Sequence, residues 1–273
     1  GVDWQESRHR SRSGSDVIPY KSVPWTKDAL FENTGLFAEA TWHVAPLDRV
    51  VGGARLDFAS AKDFRQTVST MSMGSSSSMD GMDGMGGMGG SMGSGMSMSS
   101  SPNPTANQRR SDTLPSGFLR YERDLETVPA TMYVGVGHVE RFPDYWELFS
   151  PDQGPAGSVN AFQGVRPEKT TQLDIGCQYK TDRLEAWVSA YVGYVQDFIL
   201  FNYAPGGMMG STSTASNVNA TIMGGELGAS YRLTPQWQIG STLAYAWGRN
   251  STDGTPLPQI PPLEARLSAT YEN

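Results

Sequence analysis

Apolar and polar residues alternate with a period of two along most of this chain, and helical periodicity is scarce. Over residues 36–44, Leu36, Ala38, Ala40, Trp42 and Val44 share one face, while Glu39, Thr41 and His43 share the other; Phe37 breaks the pattern. After a turn at Ala45-Pro46-Leu47-Asp48, the residues Val50, Gly52, Ala54, Leu56 and Phe58 oppose Val51, Gly53, Arg55 and Asp57. Leu119 and Tyr121 oppose Arg120, Glu122 and Asp124, and a turn near Glu126-Thr127 leads into a strand over 130–140. Leu173, Ile175, Cys177 and Tyr179 then oppose Gln172, Asp174, Gly176, Gln178 and Lys180. The tight turn Lys180-Thr181-Asp182-Arg183 enters a strand over 184–200 with apolar or aromatic residues on both faces, so the pattern assigns neither face. Leu227, Ala229, Tyr231 and Leu233 alternate with Glu226, Gly228, Ser230 and Arg232. Trp237, Ile239, Leu243, Tyr245 and Trp247 share the next face, and Leu263, Ala265, Leu267, Ala269 and Tyr271 the last.

These segments predict about nine strands. Their connections alternate between short turns and long polar stretches, the latter over about 61–113, 141–166, 202–216 and 249–262. Outer-membrane barrels have short periplasmic turns and longer extracellular loops. A soluble β-sandwich also alternates apolar and polar residues, but its loops need not sort into two length classes. Trp237 and Trp247 favour the barrel. At about 3.3 Å per residue they lie roughly 33 Å apart, which a tilt near 45° projects to about 23 Å, close to the roughly 25 Å between aromatic girdles. The predicted fold is therefore all-β, an antiparallel transmembrane β-barrel segment. Barrels of this kind have even strand numbers. The chain opens in what reads as a loop and stops just after a strand, so a larger barrel with strands missing on both sides is expected.

Composition narrows the picture further. No run of 18 apolar residues occurs, so no helical membrane span is expected, and a barrel never accumulates such a run. The start Gly1-Val2-Asp3-Trp4 does not read as a signal peptide. Eleven Tyr, seven Trp and ten Phe suffice for interfacial girdles. A net charge of −7 argues against nucleic acid as a partner. The single cysteine, Cys177, excludes an intrachain disulfide and a multi-cysteine zinc site. No nucleophilic triad, paired carboxylates or phosphate loop is evident, so no enzyme is expected.

Several stretches together resemble the TonB-dependent outer-membrane receptors. They are Gly35-Leu36-Phe37-Ala38-Glu39-Ala40-Thr41-Trp42, Val51-Gly52-Gly53-Ala54-Arg55-Leu56-Asp57-Phe58 and Arg141-Phe142-Pro143-Asp144-Tyr145-Trp146-Glu147-Leu148-Phe149. Arg166-Pro167-Glu168-Lys169-Thr170 with Leu173-Asp174-Ile175-Gly176, Val195-Gln196-Asp197-Phe198-Ile199, Gly225-Glu226-Leu227 and Ile260-Pro261-Pro262-Leu263 follow in the family's order. The resemblance covers most of the chain from about Gly35. It implies a 22-stranded barrel in a Gram-negative outer membrane, an N-terminal plug and import driven by the TonB complex. Plug, TonB-contacting box and terminal aromatic strand are absent from this sequence, so contact with TonB would run through a plug outside this chain.

Within the polar stretch 61–113 lies a segment of Gly, Ser and Asp carrying nine methionines: Met71, Met73, Met79, Met82, Met85, Met88, Met92, Met96 and Met98. Thioether sulfur is a soft ligand, and several at short spacing can place three sulfurs on one Cu(I) ion. Asp80 and Asp83 add hard oxygens suited to Cu(II). Met208 and Met209 fall in another expected extracellular loop, so eleven of the thirteen methionines would lie on one side of the membrane. All eleven are candidate copper ligands, and the segment most resembles the copper receptors of the OprC/NosA type. A low-complexity loop with chance methionine expansion is the plain alternative. A receptor for a siderophore or other metal chelate and a soluble β-rich binding protein are the rival functions. His9, His43 and His138 read as ordinary polar residues, and Cys177 as a small apolar residue on the lipid face. The basic cluster at 8–12, with Arg109 and Arg110, suits contact with lipid and with lipopolysaccharide phosphate.

Overall fold

The computed structural model describes residues 1–12, 18–71, 98–149, 161–205 and 211–272. Ten strands form one antiparallel sheet in the order β1-β2-β3-β6-β7-β8-β9-β10-β11-β12. They are β1 (Val2–Ser11), β2 (Thr26–Ala45), β3 (Asp48–Asp63), β6 (Arg109–Asp124), β7 (Ala130–Arg141), β8 (Glu168–Lys180), β9 (Leu184–Pro205), β10 (Ser211–Arg232), β11 (Trp237–Asn250) and β12 (Glu264–Tyr271). Every neighbour in the order is also a neighbour in sequence, apart from the paired strands β4 (Thr67–Met71) and β5 (Met98–Pro102), which form a sheet of their own. The large sheet is open, with β1 and β12 as its edges.

Nine of the ten strands coincide with the alternating segments. β1 was expected as a loop, and β10 begins at Ser211, so the expected loop over 202–216 is largely strand: Asn202 pairs with Thr214 and Pro205 with Ser211. The physical reason is strand length. β9 and β10 have 22 residues each, whereas a membrane-spanning strand needs only about 9–11. The surplus runs past the membrane at the long-loop end. Water then bathes both faces, and nothing enforces alternation.

Register assigns the faces that the sequence left open in β9. Val188, Val192 and Tyr194 are exposed on the outer side, while Tyr191 and Trp187 turn inward over Gly224 and Gly228 of β10. Phe37, out of pattern in the sequence, also turns inward, with the Arg55 guanidinium 5.7 Å from its ring centre. Aromatics edge the outer face. Trp42, Tyr121, Tyr231, Trp237 and Tyr271 are exposed near the short turns, and Trp4, Tyr194, Tyr245 and Trp247 are exposed further along the strands.

The inner face carries a series of ion pairs. Arg55 bridges Asp57 and Asp3, each at 2.6 Å; Arg120 reaches Glu122 at 2.6 Å; Arg49 also pairs with Glu122; Arg266 meets Glu264 at 2.5 Å. The β7–β8 connection carries two short helices, α1 (Tyr145–Phe149) and α2 (Ala161–Gly164). It folds back over the inner face and builds an apolar cluster of Leu148, Phe149, Phe162 and Val165 against Ala29, Ala61 and Ile199. This cluster is what gives the long-loop end a fixed shape.

Candidate functional site

The methionine segment is carried on a stem. β4 and β5 pair from Thr67↔Pro102 to Met71↔Met98, so the first and last of the nine methionines face each other across the final rung. Cα atoms of such a pair lie about 4.5–5.5 Å apart. Met73, Met79, Met82, Met85, Met88, Met92 and Met96 lie outside the described residues, as do Met208 and Met209.

Below the stem sits a buried polar knot. The Asp63 side chain ends β3 with no solvent exposure. It accepts from the Arg65 backbone N at 3.0 Å and from Arg65 Nε and Nη2 at 3.1 and 2.9 Å. Asn103 Nδ2 and Thr105 Oγ1 donate to it at 2.9 and 2.8 Å. Arg65 also donates to the Phe149 carbonyl at 3.0 Å and lies over the Phe149 ring, 4.5 Å from its centre. Residues on both sides of the methionine segment thus converge on one carboxylate, and Arg65 ties them to α1. The knot fixes where the stem leaves the wall.

α1 is fixed in turn by charge and capping. Arg141 makes a bidentate bond to Glu147, at 2.9 and 2.7 Å, and reaches Glu168 at 2.7 Å. Asp144 Oδ1 accepts the Glu147 backbone N–H at 2.8 Å, and Glu147 accepts the Asp144 N–H at 2.7 Å. That reciprocal pair is a capping box.

A cavity of about 550 Å³ opens on the inner face beside α1, lined by Gln5, Ser7, His9, Asn33, Arg55 and Tyr145 among others. His9 stacks on Tyr145 with ring centres 4.1 Å apart and an interplanar angle of 6°. The Tyr145 hydroxyl donates to Asp28 Oδ2 at 3.0 Å. Burial, together with that bond to Asp28, pushes the Tyr145 phenol up to about 12.

The other sequence candidates are dispersed. His43 lies on β2 beside the first short turn, and His138 Nδ1 is 2.8 Å from Thr171 Oγ1. Cys177 is a half-buried free thiol on β8. Among the described residues, no three or more His, Cys, Asp or Glu are grouped to hold a metal ion. In the basic cluster, Arg8 pairs with Glu6, Arg109 with Glu32, and Arg110 with Asp112 and the Val165 carbonyl. Arg110 therefore serves the inner loop and not the outer face. Sequence reading missed the Asp63 knot and the roles of Arg141, Glu147 and Glu168. The latter three fall inside quoted family segments, so a signal was present, but no spacing rule links Asp63 to Asn103 across the loop.

The open antiparallel sheet, inward loop and two classes of connection define a class of protein. The model of the TonB dependent receptor-like β-barrel family matches residues 1–273, and the chain belongs to that family. Such barrels are Gram-negative outer-membrane transport receptors and not enzymes. Among solved structures, the chain is similar to the copper transporter OprC, with 53% identity and a TM-score of 0.83 over 100% of this chain and 39% of that one. It shares its fold with the ferric yersiniabactin uptake receptor FyuA from Yersinia pestis, at 16% identity and a TM-score of 0.61 over 98% of this chain and 35% of that one. The ferric-catecholate import receptor Fiu from K12 E. coli matches at 18% identity and a TM-score of 0.62, over 99% and 38%. The chain thus spans about two fifths of the length of these receptors. A search of curated protein sequences gives no match.

Proposed function

We propose that this chain is part of the barrel of an outer-membrane copper receptor whose methionine segment gathers copper ions at the extracellular face. The observation that carries the reading is 53% identity to the copper transporter OprC over the whole chain. The methionine content supports it. Soft thioethers favour Cu(I) over Mg(II), Ca(II) and Zn(II), which prefer oxygen or mixed nitrogen ligands. The stem and the Asp63 knot supply the second requirement, a fixed point of attachment above the inner face. Nine thioethers spread through 28 residues of otherwise Gly, Ser and Asp suit collection of ions more than tight retention at one centre. Handover then runs inward to ligands nearer the plug. Transport across the membrane is driven through the TonB complex, which acts on that plug.

The test is copper accumulation in cells carrying the full receptor or none, under copper limitation. Copper uptake that depends on the receptor and on TonB, with zinc uptake unchanged, is the predicted result. Equal copper uptake without the receptor would overturn the reading.

A further inference from the structure

The outer face of β1, β2, β3 and β6 carries a charged row that ion transport does not use. Arg8 pairs with Leu30, Leu30 with Lys62, and Lys62 with Arg109, so three cations lie in line across four adjacent strands. At about 4.8 Å per strand, the row spans roughly 15 Å. Arg10 and Lys27 pair with each other just beyond it. Phe64 sits between two of the cations, with Lys62 Nζ 5.0 Å and Lys27 Nζ 5.9 Å from its ring centre. Arg8 and Arg109 are partly neutralised by Glu6 and Glu32. Among the described residues, Arg10, Lys27 and Lys62 have no carboxylate partner within salt-bridge distance.

Position gives this row its meaning. On the membrane side of it, the same outward face carries one polar rung of Glu6, Glu32, Ser60 and Ser111, and then turns apolar, with Trp4, Phe58, Leu36 and Val2 all exposed. Leu30 is twelve positions from Trp42, which marks the short-turn edge of the apolar band. That is about 40 Å along the strand, or roughly 30 Å along the membrane normal at a tilt near 40°. The apolar band is about 25 Å tall, so the row stands at the outer headgroup level.

We propose that Arg10, Lys27 and Lys62, flanked by Arg8 and Arg109, form a binding site for the phosphate groups of an outer-leaflet glycolipid, with its acyl chains lying on the apolar face below. Several outward cations in line match several phosphates on one headgroup, and Lys and Arg donate charge-assisted bonds to phosphate oxygens. The apolar surface that starts at Trp4 and Phe58, two rungs beneath the row, distinguishes a lipid from a free anion, which would gain nothing from it.

The experiment uses the full receptor in detergent and titrates it with lipopolysaccharide, before and after enzymatic removal of its lipid A phosphates. The R10Q/K27Q/K62Q variant breaks no ion pair described above. It is expected to lose roughly a hundredfold in affinity for the phosphorylated lipid, about 3 kcal/mol at 1.4 kcal/mol per decade. Its affinity for the dephosphorylated lipid should not change, and an unchanged β-sheet circular dichroism spectrum shows that the variant is folded. A control that removes three cations at the short-turn end, K180Q/R183Q/R232Q, is expected to bind the phosphorylated lipid as the unaltered receptor does. Inorganic phosphate at equal phosphate concentration should not displace the lipid. Unchanged affinity in the first variant, an equal loss in the control, or displacement by inorganic phosphate would each overturn the proposal. None of these outcomes depends on whether the receptor takes copper.

Discussion

Five donors converge on the carboxylate of Asp63, three of them from Arg65. Removing one partner of such a buried group leaves the others desolvated and unpaired, so Asp63→Ala is expected to cost about 3 kcal/mol. Limited proteolysis should then cut within 64–108 faster than in the unaltered receptor. The D63A/R65M variant should recover part of the loss, because no buried charge is left alone; equal rates in all three would refute the knot. Tyr145 offers a pH test. Its folded pKa is raised above the usual value for tyrosine, so its contribution is present below about pH 10 and is lost as pH rises towards 12. Ultraviolet titration should show a late phenol, near 12, that disappears in Tyr145→Phe. Little of this was legible in advance. Asp63 and Asn103 are 40 positions apart, and a hydrogen bond across a loop of that length leaves no periodic trace.

Strands were far more legible than side-chain partners. Alternation located the spanning halves because lipid on one side and water on the other enforce it residue by residue. It failed for the outer part of β10, where both faces are wet, and for β1, whose outward face joins Val2 and Trp4 to Glu6, Arg8 and Arg10 within one strand. It also left β9 undecided, since Tyr191 and Trp187 are aromatic yet face inward. Register explains those residues: each ring lies over a glycine of the neighbouring strand. The same device recurs where Phe118 covers Gly53 and Tyr133 covers Gly176, at 2.6 and 2.5 Å from the position a Cβ would take. Gly53→Ala and Gly176→Ala must swing these rings away and should each cost about 1–3 kcal/mol. Gly137→Ala meets nothing closer than 3.8 Å and should be nearly neutral. Urea unfolding in micelles ranks the three, and a Gly137→Ala loss as large as the others would contradict the packing.

On the scale of the whole molecule, the alternation of short and long connections pointed to the barrel before any residue had a role. Family segments then fixed its kind, which the match over residues 1–273 establishes. The metal was a different matter. Thioether chemistry named copper, and the likeness to the copper transporter OprC agrees. The chain covers 39% of that transporter, and the proposed role of the methionine segment is the gathering of ions at the surface. The most direct measurement is Cu(I), Cu(II) and Zn(II) titration of the full receptor and of a form in which all nine methionines from Met71 to Met98 are serine. The account predicts a selective loss of Cu(I) sites, with Zn(II) binding unchanged. Cu(I) stoichiometry and affinity retained in the serine form would contradict it.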